Sequence, residues 1–174
     1  MTIGLPYLLL LAIFPAGVIA AALKDLVSFT IPNWISVALV VLFLPVALLV
    51  HLPAGEIGVS FAVGAAALVS GFAMFALGWC GGGDAKLLAA AALWLGLPAV
   101  MTFMLVTGVA GGALAVGLMA VRKEGLLMSY AASGPGWLGR LLTPDGDLPY
   151  GLAIAVGALA AFPSSALVTA LTRV

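Results

Sequence analysis

Charge is what this sequence has least of: among 174 residues, six are Lys or Arg, six are Asp or Glu, and one is His. The two signs cancel, so no net field gathers nucleic acid or an acidic substrate, and any chemistry must reside in individually placed groups. A single cysteine, Cys80, excludes an intrachain disulfide and a paired-cysteine zinc site. The opening Met-Thr-Ile-Gly-Leu-Pro lacks the basic n-region of a cleavable signal, so the apolar run behind it is expected to remain as a spanning helix. Hydrophobic residues make up 65% of the chain and mean hydropathy is +1.33. A water-soluble fold needs a polar shell that this composition cannot supply, so the expected class is an all-α polytopic membrane protein.

A bilayer core about 30 Å thick takes roughly 20 apolar residues rising about 1.5 Å each. Leu5 to Leu23 meets that length, as do Ile57 to Cys80 and Tyr150 to Leu171. Ile35 to Val50, lengthened by Ile31-Pro32-Asn33-Trp34, supplies another span. Between Leu87 and Val121 lie 35 uncharged residues, about 52 Å as one straight helix, which overshoots the bilayer. A break at Gly96-Leu97-Pro98 divides them and gives six transmembrane helices. The first, third and fifth loops then hold Lys24, Lys86, Arg122, Lys123 and Arg140, with Arg173 alone opposite, so the positive-inside rule puts those loops in the cytoplasm and both termini outside. Five spans would scatter the same charges over both faces. The fourth helix, Asp84 to Leu97, is short at about 21 Å, which sets Asp84 slightly within the membrane. The polar stretch from Arg122 to Pro149 has turn signals at Gly134-Pro135-Gly136 and Pro144-Asp145-Gly146 and room for a short interfacial helix. The chain, 1–174, reads as one membrane-embedded domain.

On this topology Asp25 follows the first span and Asp84 opens the fourth, both at the cytoplasmic boundary, where two carboxyls can meet. Acids at a membrane are costly to desolvate and mark function when a partner can be named; here each is the other's. Two carboxyls sharing a site repel, so one can hold a proton while the other stays ionised, and such a pair can activate water and protonate a leaving amine. Gly81-Gly82-Gly83 offers backbone free to take positive φ and to let another chain approach. The ordinary alternatives are that Asp84 caps a helix and that Lys24-Asp25 decorates a helix end.

Three segments carry a family resemblance. Asp25-Leu26-Val27-Ser28-Phe29-Thr30-Ile31-Pro32-Asn33 resembles the first-aspartate segment of type IV prepilin peptidases, and Gly81-Gly82-Gly83-Asp84-Ala85-Lys86-Leu87 resembles their GxGD motif with its trailing Lys-Leu. Leu148-Pro149-Tyr150-Gly151-Leu152-Ala153-Ile154-Ala155 is similar to the Pro-aromatic-Gly entry of their final span. The resemblance implies an aspartic endopeptidase with Asp25 and Asp84 catalytic. Gly81, Gly82, Gly83, Lys86, Pro32, Asn33, Pro149, Tyr150 and Gly151 would support substrate and site. It further implies removal of the basic leader of a prepilin or pseudopilin, whose apolar helix docks among the spans, at the cytoplasmic face of a bacterial inner membrane, without metal, organic cofactor or nucleic acid. The large insert with paired CxxC motifs that accompanies N-methyltransferase activity is absent, so the chain looks like the compact tight-adherence (Flp-type) members.

Other residues read more plainly. Lys86 either acts on the aspartate pair or snorkels from a helix start. Lys24 anchors topology, Cys80 fills space, Asn33 marks a turn or bonds within the first loop, and Asp147 caps the last helix. His51 and Glu56 fall on the far side in solvent, and Trp34, Trp79 and Trp94 read as interfacial anchors. The competing functions are a small proton- or ion-coupled transporter using the boundary acids, a presenilin-type intramembrane protease, from which Lys24 before Asp25 departs, and a silent assembly subunit.

Overall fold

The computed structural model describes residues 5–124, 135–143 and 146–172. They form α1 (Leu5–Ser28), α2 (Asn33–Leu49), α3 (Ala54–Ala76), α4 (Gly82–Glu124), α5 (Gly136–Leu142), α6 (Tyr150–Ala161), a 3₁₀ turn (Phe162–Ser164) and α7 (Ala166–Thr172). The fold is all-helical. Four stretches are long and apolar enough to cross a membrane, α1, α3, α4 and Tyr150–Thr172, and α2 is a shorter apolar helix. Large side chains such as Val41, Val69, Phe72, Met101, Leu105 and Val116 point outward. An apolar exterior of that extent suits lipid rather than water.

The expected break in the long apolar run is present. Gly96 inside α4 has φ 66° and ψ −175°, a backbone conformation that essentially only glycine adopts, and Pro98 follows it. α4 is therefore two arms, residues 82–95 and 97–124, and the first arm is the short one. The turn packs against Ser60 of α3 and Ala166 of α7, at the opposite end from Asp84.

Two boundaries differ from expectation. α1 runs past Leu23 to Ser28 and so carries Asp25 within its last turns. Phe29 ends it with φ 53°, its N–H donating to the Asp25 carbonyl at 2.7 Å, and Pro32 prevents the helix from resuming before Asn33. The final span is not one helix. Pro163 tightens residues 162–164 into a 3₁₀ turn, and Ser165 is extended before α7 restarts, with its Oγ accepting the Val168 N–H at 3.3 Å. α5 supplies the short helix expected in the polar stretch. Gly134, Pro144, Asp145 and Arg173 lie outside the described residues.

The core is aromatic at its centre. Phe14 stacks on Trp94, and Phe43 meets Trp94 edge-on. Trp94 is fully buried and its indole N–H donates to the Leu39 carbonyl at 2.8 Å. It is a core residue linking α4 to α2, whereas Trp34 and Trp79 stay about two-thirds exposed (66% and 67%) as interfacial anchors would. Glu56 also departs from its solvated reading: it is half-buried beside Leu97 and Pro98.

Candidate functional site

The end of α1, the start of α2, the end of α3, both ends of α4 and the start of α6 gather at one end of the bundle. There Asp25 and Asp84 line one cleft of about 530 Å³, with Phe29, Trp79, Asp147 and Tyr150 among its walls. A smaller adjoining hollow of about 230 Å³ is also bordered by both aspartates, together with Gly81, Gly82, Gly83 and Ile31. The two carboxylates are close enough for the charge of Asp25 to act on Asp84.

Each carboxylate is held by a backbone donor. Asp25 is buried and its Oδ2 accepts the Gly151 N–H at 2.8 Å. Pro149 precedes α6 as its cap, so the first N–H groups of that helix are unclaimed by a helical partner and one is aimed at α1. Gly151 is needed for the approach: a Cβ there would lie 2.9 Å from Asp25 Oδ2 and 3.0 Å from Ile31 Cδ1.

Asp84 accepts the Gly81 N–H at 3.0 Å, and the Ala85 N–H donates to the Gly81 carbonyl at 3.2 Å. Asp84 thus reaches back from the third position of α4 to the residue before the helix, half of a capping box. The capping alternative is realised in this form, and it leaves Asp84 in the cleft. The glycine run works differently from expectation. None of Gly81, Gly82 and Gly83 has positive φ; among the described glycines only Gly78 and Gly96 do. Its use is close packing: a Cβ at Gly83 would lie 3.1 Å from Ile31 Cβ and 3.3 Å from the Ile31 carbonyl oxygen.

Lys86 donates from Nζ to Asn33 Oδ1 at 2.8 Å. It ties the start of α4 to the start of α2, and Asn33 bonds across loops rather than within its own. Pro32 and Pro149 act as entry residues of α2 and α6 and line neither cavity. Asp147 makes no cap: the start of α6 has no side-chain cap hydrogen bond, and Asp147 borders the cleft instead. Cys80 is half-buried, its thiol directed at the Gly71 carbonyl at 3.8 Å; burial, then the nearby Asp84 charge, pushes the thiol up. Among the described residues no group of three or more His, Cys, Asp or Glu could hold a metal ion.

Sequence reasoning missed Phe29 and Arg122. The Arg140 guanidinium stacks over the Phe29 ring, 4.9 Å from its centre, at the mouth of the cleft. The only sequence signal for Phe29 was its place four residues after Asp25.

Trp79, Cys80, Asp84 and Tyr150 are shared with a third, apolar cavity of about 340 Å³ between α3 and the second arm of α4. Its walls are kept low by small residues, including Gly108, Gly111 and Gly112, and by the packing of Gly71 on Ala85.

No curated protein and no solved structure matches the chain. A family model does: that of the type IV leader peptidase family matches residues 12–116, a segment that holds Asp25, Asn33, the glycine run, Asp84 and Lys86 but ends before the Pro-Tyr-Gly entry of α6. With more than half of its length covered by that match, the chain belongs to the type IV leader peptidase family.

Proposed function

We propose that the chain is an aspartic endopeptidase that removes the leader from prepilins or pseudopilins, with Asp25 and Asp84 as its catalytic pair and the whole chain acting as one membrane-embedded unit. The observation that carries this reading is the shared cleft: carboxylates from α1 and α4 border the same space, each with one oxygen fixed by a backbone N–H. Family membership supports the substrate class.

In the cleft, the ionised carboxylate takes a proton from a water whose oxygen attacks the scissile carbonyl carbon. The protonated partner gives its proton to the carbonyl oxygen, forming a gem-diol. Collapse breaks the C–N bond: a gem-diol hydroxyl returns its proton to the second carboxylate as the product acid forms, the amine leaves with the proton held by the first carboxyl, and the pair again holds one proton. The backbone donors hold the carboxylates in place without contributing charge. The adjoining apolar cavity suits the substrate's apolar helix, and its junction with the cleft at Asp84 sets the leader boundary beside the pair.

The active end carries Lys24, Lys86, Arg122, Lys123 and Arg140, which supports a cytoplasmic orientation in a bacterial inner membrane. The absence of a cysteine-bearing insert supports the compact tight-adherence type, without methyltransferase activity. The transporter reading gains no support, because no charged side chain among the described residues lies at mid-span.

The test uses purified wild type, Asp25→Asn and Asp84→Asn in detergent with a prepilin of the tight-adherence type, following leader removal by mass. Wild type should cleave, and each Asn variant should lose about 10²–10⁴-fold in rate. Robust cleavage by either variant would sink the pair.

A further inference from the structure

Arg122, in the last turn of α4, is absorbed by no step above, yet its guanidinium makes four hydrogen bonds. Nε and Nη2 donate to the Leu141 carbonyl at 3.0 and 2.8 Å, Nη1 to Gly146 at 2.9 Å, and Nη2 also to Asp147 at 3.1 Å. The chain is folded tightly round it. The Gly146 N–H donates to the Thr143 carbonyl at 3.0 Å, and a Cβ at 146 would lie 2.7 Å from the Arg140 carbonyl and 3.3 Å from Arg122 Nη2.

Four residues after the last of these carbonyls, the Gly151 N–H holds Asp25. The intervening chain has little freedom. Pro149 is fully buried with φ −75°, and the Tyr150 N–H donates to the Leu148 carbonyl at 2.9 Å. Arg122 closes the second arm of α4, which the Gly96 turn returns to the end where the first arm begins at Asp84, so its fork sits between the two halves of the site. We infer that Arg122 is a positioning residue, whose guanidinium fixes the segment that delivers the Gly151 N–H to Asp25. Arginine is required because three carbonyls in different directions need its planar set of donors, and a lysine ammonium reaches fewer at once.

This inference rests on the proposed proteolysis for its consequence, but not for its first test. Hydrogen exchange at the Gly151 amide is measured in detergent for wild type, R122Q, R122K and the neighbouring K123Q. The amide should exchange at least about tenfold faster in R122Q, with R122K between, while Ala155 and Ala158 within α6 keep their protection. K123Q should match wild type. In cleavage assays, R122Q should lower kcat about tenfold or more with KM within about twofold, because the carboxylate rather than the substrate contact is displaced.

Unchanged Gly151 protection in folded R122Q would overturn the inference, as would a raised KM at constant kcat. Failure of both Arg122 variants to fold would also overturn it, since Arg122 would then serve folding at large. If wild type cleaves no prepilin, the proposed function fails while the exchange measurement still decides the role of Arg122.

Discussion

Asp25 is held by a backbone group 126 residues away in sequence, and the side chain at that position has to be absent for the contact to form. Adding one methyl group at Gly151 puts a carbon 2.9 Å from both Asp25 Cβ and Oδ2. The carboxylate or the start of α6 must then shift by several tenths of an ångström. With Asp25 in the proposed catalytic pair, geometry is sensitive on that scale, so Gly151→Ala should lower kcat/KM by about 10²-fold while the thermal transition in detergent changes little. Near-wild-type cleavage by the folded variant would show that Asp25 works without this donor. The residues of the Pro-Tyr-Gly motif were visible in the sequence, but the reason for the glycine was not, because spacing along a chain says nothing about which backbone donor meets which side chain. Lys86 and Asn33 were likewise each visible, and their mutual hydrogen bond was not. Trp94 misled for a related reason: near a presumed span end, an aromatic reads as an anchor, yet its N–H found the Leu39 carbonyl inside the bundle.

At the scale of elements, α4 shows what length alone can decide. A 35-residue uncharged run is too long for one crossing, and the Gly-Leu-Pro triplet is the one place in it where a residue that tolerates φ 66° and ψ −175° is followed by a proline, which removes one of the N–H groups a new helix start leaves without a helical partner. Gly96→Ala forces a Cβ into that conformation and brings it within 3.1 Å of Ser60 Oγ. It should lower unfolding stability by about 1–3 kcal/mol, whereas Pro98→Ala, which opens the second arm where proline costs little, should change it by less than about 1 kcal/mol. Thermal or denaturant unfolding of the two variants in one detergent compares them directly, and equal losses would place the strain elsewhere. Helix ends were less legible than helix breaks. Lys24-Asp25 looks like a boundary because it is polar, but a helix stops where its backbone can no longer continue, and here that is Phe29. In the last span, continuous apolarity hid Pro163, although Pro-Ser-Ser is itself a stop followed by a new cap.

Across the whole molecule, alternating helix directions bring Asp25, Asn33, Cys80, Asp84, Arg122 and Tyr150 to one end and Glu56, Gly96 and Ala166 to the other. The division of α4 is what makes this possible: had the run been one straight helix, Arg122 would lie some 60 Å from Asp84 rather than beside the same cleft. The same division collects five basic residues at the aspartate end, and a bias of that size orients a chain in a membrane. Two glycines offer probes that leave packing intact, because a Cβ at Gly55 or at Gly136 meets nothing within 4 Å. Gly55 begins α3 at the end away from the aspartates, and Gly136 begins α5 near them. In a Cys80→Ser background, Gly55→Cys should react with a membrane-impermeant maleimide on intact spheroplasts, and Gly136→Cys only after the membrane is opened. The reverse pattern would turn the cleft to the outer side and remove the cytoplasmic leader as its substrate. It would leave the meeting of Asp25 and Asp84 untouched, since that meeting depends on how the helices pack and not on which way the bundle faces.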